Sequence, residues 1–169
     1  IAIYYKYGAK GVKKDNRKAI EWFRISAEHG FAAAQKAVGD YYFAGKTVKK
    51  NYKKAVEFFL KAANQGQPDA QYSLAVIYFT GLGGLGKNQD YRKALYWSRK
   101  SSEQGIGEAQ NILGTLYSRG LGTLINEIEA YAWLNVASAN GSDMAHKERD
   151  VIEKKLSQTE LSKARRLSE

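Results

Sequence analysis

One run in this chain has the spacing of a phosphate-binding loop. Residues 81–88 read GLGGLGKN, which fits G-x-x-x-x-G-K. In such a loop backbone N–H groups cradle phosphate oxygens, the lysine reaches the outer phosphates, and a following Ser or Thr holds magnesium. Asn88 stands where that hydroxyl is needed. The preceding segment has helical periodicity rather than a strand's, and no aspartate-tipped apolar strand follows. The run is therefore read as a glycine-rich insertion in a connecting loop, and Lys87→Ala is expected to change no nucleotide behaviour. Other reactive chemistry is sparser. The chain has two histidines, His29 and His146, and no cysteine, so a metal would need carboxylate ligands. The acidic residues are scattered among lysines, with no paired carboxylates, nucleophile–base pair or metal-ligand spacing. No catalytic residue, metal site or cofactor is assigned.

The basic residues do show order. Lys13, Lys14, Arg17 and Lys18 recur as Lys49, Lys50, Lys53 and Lys54. Lys87, Arg92 and Lys93 continue the series, and residues 124–130 replace it with LINEIEA. A net charge of +10 favours acidic partners. The edge made by Lys13, Lys14, Lys49, Lys50, Lys53 and Lys54 reads first as a solvated rim and second as a site for an acidic partner or surface. Nucleic acid is disfavoured, because no groove-reading element or base-stacking module is recognisable.

These residues sit on a repeating framework. Tyr5, Tyr42, Tyr78 and Tyr117 fall in register, each followed three residues later by glycine: Gly8, Gly45, Gly81 and Gly120. A second block opens with Ala19, Ala55, Ala94 and Ala130, with Trp22, Phe58, Trp97 and Trp133 three residues on. It closes with Gly30, Gly66, Gly105 and Gly141. Equivalent alanines lie 36, 39 and 36 residues apart. Apolar and small residues at i, i+3, i+7 and i+8 make a buried stripe on a helix, and glycine after each block is a helix stop. Small residues beside the first-block apolar position (Ala2, Gly39, Ala75, Gly114) let a neighbouring helix come close. Each unit thus reads as helix A, a loop, helix B and a turn. No unit can bury its apolar face alone, so the units must stack. His29 takes the place of Gln65, Gln104 and Asn140, and His146 that of the repeat glutamines, which explains both by register. Residues 143–156 read as an amphipathic helix carrying Met144, Val151, Ile152 and Leu156. Ser157 and Glu160 form a capping box before a last helix.

This pattern resembles the Sel-1-like repeat family, relatives of tetratricopeptide repeats. The third unit carries it as Ala70, Gln71, Leu74, Ala75, Tyr78, Gly81, Lys93, Ala94, Trp97, Ser101, Ser102, Gln104 and Gly105, and the match covers residues 1–146. The expected fold is all-α: one domain over 1–169, a right-handed α/α solenoid of about four helix-turn-helix repeats, near 1–33, 34–69, 70–108 and 109–144, with a C-terminal helical cap at 145–169. The resemblance implies a protein-interaction adaptor, of bacterial type, whose A helices line a concave face. Tyr7, Lys36, Phe43, Tyr72, Phe79 and Arg119 are the A-helix residues expected to bind a protein or peptide segment there. The alternative for the aromatic ones, packing on the following helix, stays open.

No stretch approaches the ~20 apolar residues of a membrane span. Absence of cysteine suits either an oxidising or a reducing compartment, so periplasm, secretion and cytoplasm all remain open. The chain begins at Ile1 rather than methionine, which suggests a processed or trimmed piece.

Overall fold

The structure is a computed structural model that describes residues 1–9, 11–82 and 89–169. The loop residues 83–88, and with them Lys87 and most of the phosphate-loop look-alike, lie outside the described residues. Among those described there are helices and no strand. The helices are α1 (Ala2–Tyr7), α2 (Asn16–Glu28), α3 (Ala32–Ala44), α4 (Tyr52–Asn64), α5 (Pro68–Thr80), α6 (Tyr91–Ser102), α7 (Gly107–Arg119), α8 (Glu127–Ala139), α9 (Asp143–Glu153) and α10 (Gln158–Leu167). They fall into two compact units, Ile1–Gln71 and Tyr72–Glu169.

Every B helix starts the same way. The residue four before the register alanine is the N-cap: Asp15, Asn51, Asp90 and Asn126. Each side chain accepts a hydrogen bond from the N–H three residues on, at Lys18, Lys54, Lys93 and Glu129. Such a cap contributes about 1 kcal/mol. The cap's own N–H donates to the carbonyl of the register tyrosine: Asp15 to Tyr5 at 2.8 Å, Asn51 to Tyr42 at 2.9 Å, Asp90 to Tyr78 at 3.0 Å and Asn126 to Tyr117 at 3.1 Å. The A helices stop at left-handed glycines as expected. At Gly45, φ is +69° and an added Cβ would lie 2.6 Å from the Cβ of Lys50, so no other residue fits without strain.

In the first unit α2, α3 and α4 pack in sequence around Ala19, Ile20, Val38, Ala55, Phe59 and Ala62, with α1 against α2. Gly39 provides the hole into which the ring of Phe59 fits. Buried Gln35 ties the ends of the helices together. Its Nε2 donates to the Ala27 carbonyl at 3.2 Å, and its Oε1 accepts from Gln65 Nε2 at 2.7 Å. Gln71 repeats the bond to the Ala63 carbonyl at 3.1 Å.

The second unit holds the same design. Leu113, Tyr117, Ala130, Leu134, Ala145 and Ile152 form its core, joined by Leu161 and Ala164. Gln110 donates to the Ser102 carbonyl at 3.3 Å and accepts from Asn140 at 3.0 Å. Helix α9 takes the place of a further A helix, with buried Ala145 at the alanine register and contacts to α7 and α8, while α10 packs on α8. The capping box is present: Ser157 N–H donates to the Glu160 carboxylate at 2.9 Å, and Glu160 N–H to Ser157 Oγ at 3.3 Å.

Three expectations need correction. Trp97 is buried, but Trp22, at the same register, is 40% exposed, so the aromatic stripe is not uniformly interior. Met144 and Val151 are exposed too; of the apolar residues named for α9, Ile152 is the buried one, alongside Ala145. Helix α9 also ends at Glu153, so Leu156 lies beyond it.

Candidate protein-interaction surface

The A-helix residues are placed as follows. In the first unit Tyr7 is 67% exposed at the end of α1, with Lys6 Nζ 5.1 Å from its ring centroid. Lys36 is ion-paired with Asp40 at 2.8 Å, one helical turn along α3. Phe43 is half-buried, edge-on to Tyr52 at 5.4 Å and tilted against Phe59 at 6.4 Å. In the second unit Phe79 is half-buried and edge-on to Tyr91 at 6.1 Å. Phe43 and Phe79 hold the same register position, and each braces the first residue of the following B helix. Both rings therefore have a structural contact and keep part of their surface in solvent. Arg119 reaches the Glu148 carboxylate at 3.5 Å, and Thr115 Oγ1 donates to the same group at 2.9 Å, which links α7 to α9.

Tyr72 lines a cleft of about 630 Å³ in the second unit, with Glu108, Asn111, Ile112, Asn140 and Ser142 among its walls. Burial pushes the Tyr72 hydroxyl above the ordinary phenol range, and the Glu108 carboxylate adds to the shift. The Asn111 amide donates weakly to Met144 Sδ at 3.7 Å, while its buried Oδ1 has no hydrogen-bond partner. Tyr41 is the comparable residue of the first unit. Its hydroxyl is buried without a partner and raised in pKa by burial and then by Tyr7. Sequence reasoning missed Tyr41, because its neighbour Tyr42 carries the register, and missed Glu108, which has no register position.

On the basic edge, Lys13 and Lys14 line a hollow of about 420 Å³ with Tyr5, Asp15 and Lys18. Lys49, Lys50, Lys53 and Lys54 are all exposed. Lys54 has a structural role: its Nζ lies 5.3 Å from the Tyr42 ring centroid. Lys18 over Tyr5 at 5.5 Å and Lys93 over Tyr78 at 5.2 Å repeat the contact. The lysine before each register alanine thus caps the register tyrosine by a cation–π contact. In the fourth repeat Glu129 replaces it and accepts from Trp133 Nε1 at 3.2 Å instead.

His29 Nδ1 donates to the Ile25 carbonyl at 2.8 Å, as Gln65 does to Lys61 at 3.3 Å, so it closes a helix end. His146 is in more varied company. Its Nδ1 lies 3.2 Å from Ser138 Oγ and its Nε2 3.4 Å from Asp150 Oδ2, a serine–histidine–carboxylate order that sequence spacing did not reveal. Arg149 approaches the same Nδ1 at 3.1 Å. A guanidinium there competes for the lone pair a general base would use. Ser138 lines neither cleft. The cluster is a polar tie between α8 and α9. Among the described residues no His, Asp and Glu cluster could hold a metal, and no helix is long and apolar enough to cross a membrane.

Helix pairs repeated in fixed register, each B helix opened by an Asp or Asn cap and followed by a left-handed glycine, define a helical-repeat protein. The Sel1 repeat model matches four times, at residues 1–31, 32–67, 68–106 and 107–142, and the chain belongs to the Sel1 repeat family. It is similar to the crystal structure of a protective antigen present in uropathogenic Escherichia coli strains that displays an SLR fold. The identity is 39% and the TM-score 0.83, over 99% of this chain and 35% of that one. A Sel1 repeat protein from Oxalobacter formigenes is similar at 29% identity and TM-score 0.78, over 88% of this chain and 59% of that one. The chain thus spans about a third and about three-fifths of these two structures. No curated protein matches it at a significant level. Sel1 repeat proteins generally act as protein-interaction scaffolds, and the repeat is typically non-catalytic.

Proposed function

We propose that the chain is an adaptor that binds a segment of another protein along the face of its A helices. Phe43 and Phe79 are the central anchors, Tyr7 and Tyr72 flank them, and Lys36 and Arg119 belong to the polar rim. The observation that carries this reading is the cleft at Tyr72. Its walls include α7 residues that the repeat register does not consume, Glu108 and Asn111, together with a partly exposed tyrosine. Aromatic residues that keep solvent-facing surface are the residues that most often dominate an interface. Ion-paired Lys36 and Arg119 orient a partner and contribute less.

The test starts from a photo-crosslinking residue in place of Tyr72 to capture and identify the partner. Phe43→Ala with Phe79→Ala should then weaken binding by about 2 kcal/mol or more. Far-UV circular dichroism must show the helical content retained. Normal binding by this double variant, with binding abolished by charge reversal at Lys49 and Lys50 even at moderate salt, would move the working surface to the basic edge.

A further inference from the structure

Helices α2 and α4 carry basic residues where a helix tolerates them worst. The first turn of α2 holds Arg17 and Lys18, that of α4 holds Lys53 and Lys54, and neither holds an acidic residue. This is the positive end of the helix dipole, so each cation stands against the local field. Helix α8 shows the ordinary arrangement, with Glu127 and Glu129 in its first turn. Lys18 and Lys54 are accounted for by their tyrosine contacts. Lys13, Lys14, Arg17, Lys49 and Lys53 are not. All five are exposed, and none takes part in an ion pair among the described residues. Locally unfavourable choices without a structural return mark functional positions.

The two rows face the same end of the first unit. Both helices have 13 residues and pack on α3, and Gln35 bridges their C-terminal ends through the Ala27 carbonyl and Gln65. Their N-terminal ends therefore emerge together, about 20 Å from the bridge. Each axis lies ~8–10 Å from that of α3, so the rows are at most about 20 Å apart. That gap is about six residues of extended chain. Charge is concentrated there as well. Residues 1–71 hold 14 Lys and Arg against 6 Asp and Glu, while residues 72–169 hold 13 against 11.

We propose that the rows Lys13–Lys14–Arg17 and Lys49–Lys53 dock an extended acidic segment of a protein, about six to ten residues long. The proposal rests on the scaffold reading, in that the ligand is a protein segment, and does not depend on the A-helix face. Two observations favour a peptide over other polyanions. Among the described residues no exposed large apolar side chain lies in loops 9–15 or 46–51, so nothing there would enter a bilayer. The neighbouring rings of Tyr5, Tyr42 and Tyr52 already carry lysine ammonium groups, so they are not a platform for bases.

The experiment titrates the chain with fluorescent decaglutamate at low and at moderate salt. Phosphatidylglycerol vesicles and duplex DNA are the parallel arms. Lys13→Glu with Lys49→Glu and Lys53→Glu should weaken peptide binding at least about tenfold at low ionic strength. The equal charge change Lys154→Glu with Lys163→Glu and Arg166→Glu, at the end of α9 and in α10, should alter it less than about twofold. Melting of each variant is followed alongside, and the edge variant should melt no lower than the native chain, since Lys53→Glu suits the helix dipole. Absence of peptide binding, or equal loss in both triple variants, overturns the proposal. Tighter binding of vesicles or DNA through the same lysines overturns the choice of a protein segment. Neither result touches the A-helix reading, which stands or falls on the aromatic double variant and its captured partner.

Discussion

Adding one methyl group at Gly39 sets two opposed effects against each other. Gly39 lies inside α3 and is buried. On helix propensity alone, Gly→Ala stabilises by about 1 kcal/mol. The added Cβ, however, would stand 2.5 Å from Cε1 and 2.6 Å from Cδ1 of Phe59. Ordinary carbon contacts are ~3.5–4.0 Å, so α3 and α4 must separate by about an ångström or the ring must leave its rotamer. The ring has little room, because Phe59 is 1% exposed and lies 6.4 Å from Phe43. Overpacking of this kind costs about 1–3 kcal/mol, and a contact this short belongs at the upper end. Gly39→Ala should therefore lower stability by about 1–2 kcal/mol net, read as a drop of roughly 2–8 °C in a circular-dichroism melt. Phe59→Leu in the same chain removes the clashing edge, so the double variant should lose less than the sum of the single changes. A Gly39→Ala protein that melts higher than the native chain would show that propensity wins and that α4 does not sit this close to α3.

Four further outcomes follow from the same structure. Trp97→Ala removes an aromatic that is 6% exposed and should cost about 3–5 kcal/mol, whereas Trp22→Ala should cost clearly less; equal melting shifts would refute the difference in burial. Gln110→Met leaves the Ser102 carbonyl and the Asn140 amide without their partner and should cost about 1–3 kcal/mol in a denaturant titration, with no loss counting against the bridge. Arg17→Glu and Lys53→Glu should each stabilise by about 0.3–1 kcal/mol at low salt, and an effect that survives high salt would not be the helix dipole. Hydrogen bonds from the Ser157 hydroxyl and N–H hold the Glu160 carboxyl below the usual range. Its capping contribution is thus present above the ordinary carboxylate pKa and lost as pH falls through the lowered one. Amide exchange in α10 should accelerate at acid pH in the native chain but not in Glu160→Gln.

What could be read from the sequence was what recurs at fixed spacing. Tyrosine, alanine and glycine registers gave the helix pairs, and the Ser157–Glu160 box marked the last helix, since each is a local pattern with a local cause. Coverage is not local. The same register holds buried Trp97 and exposed Trp22, and periodicity cannot say which neighbour lies over a given turn. For Phe43 and Phe79 packing on the following helix is one of the two readings the sequence allows, but the partner residues could not be named. Their partners Tyr52 and Tyr91 lie across loops of different length, so no constant spacing links them. The pairing of Ser138 with His146 crosses from α8 to α9 and depends on the turn between them. The caps Asp15, Asn51, Asp90 and Asn126 were within reach, always four residues before the alanine, and needed only to be read as helix starts.

The cap-to-tyrosine bond explains why variation gathers at the basic edge. The loop from A-helix glycine to B-helix cap differs in length among the repeats, yet the cap N–H returns each time to the same tyrosine carbonyl, at 2.8 to 3.1 Å. Closing the loop at that point fixes where the B helix begins, whatever lies between. Longer loops add little closure entropy, about 0.6 kcal/mol per doubling. Loop and first-turn residues thereby carry less of the folding duty, apart from the cap, the tyrosine-bound lysine and the rings of Tyr52 and Tyr91 that meet Phe43 and Phe79. The lysine-rich edge of the first two repeats and LINEIEA of the fourth differ in charge, yet both are followed by the same return of the cap N–H to the tyrosine carbonyl.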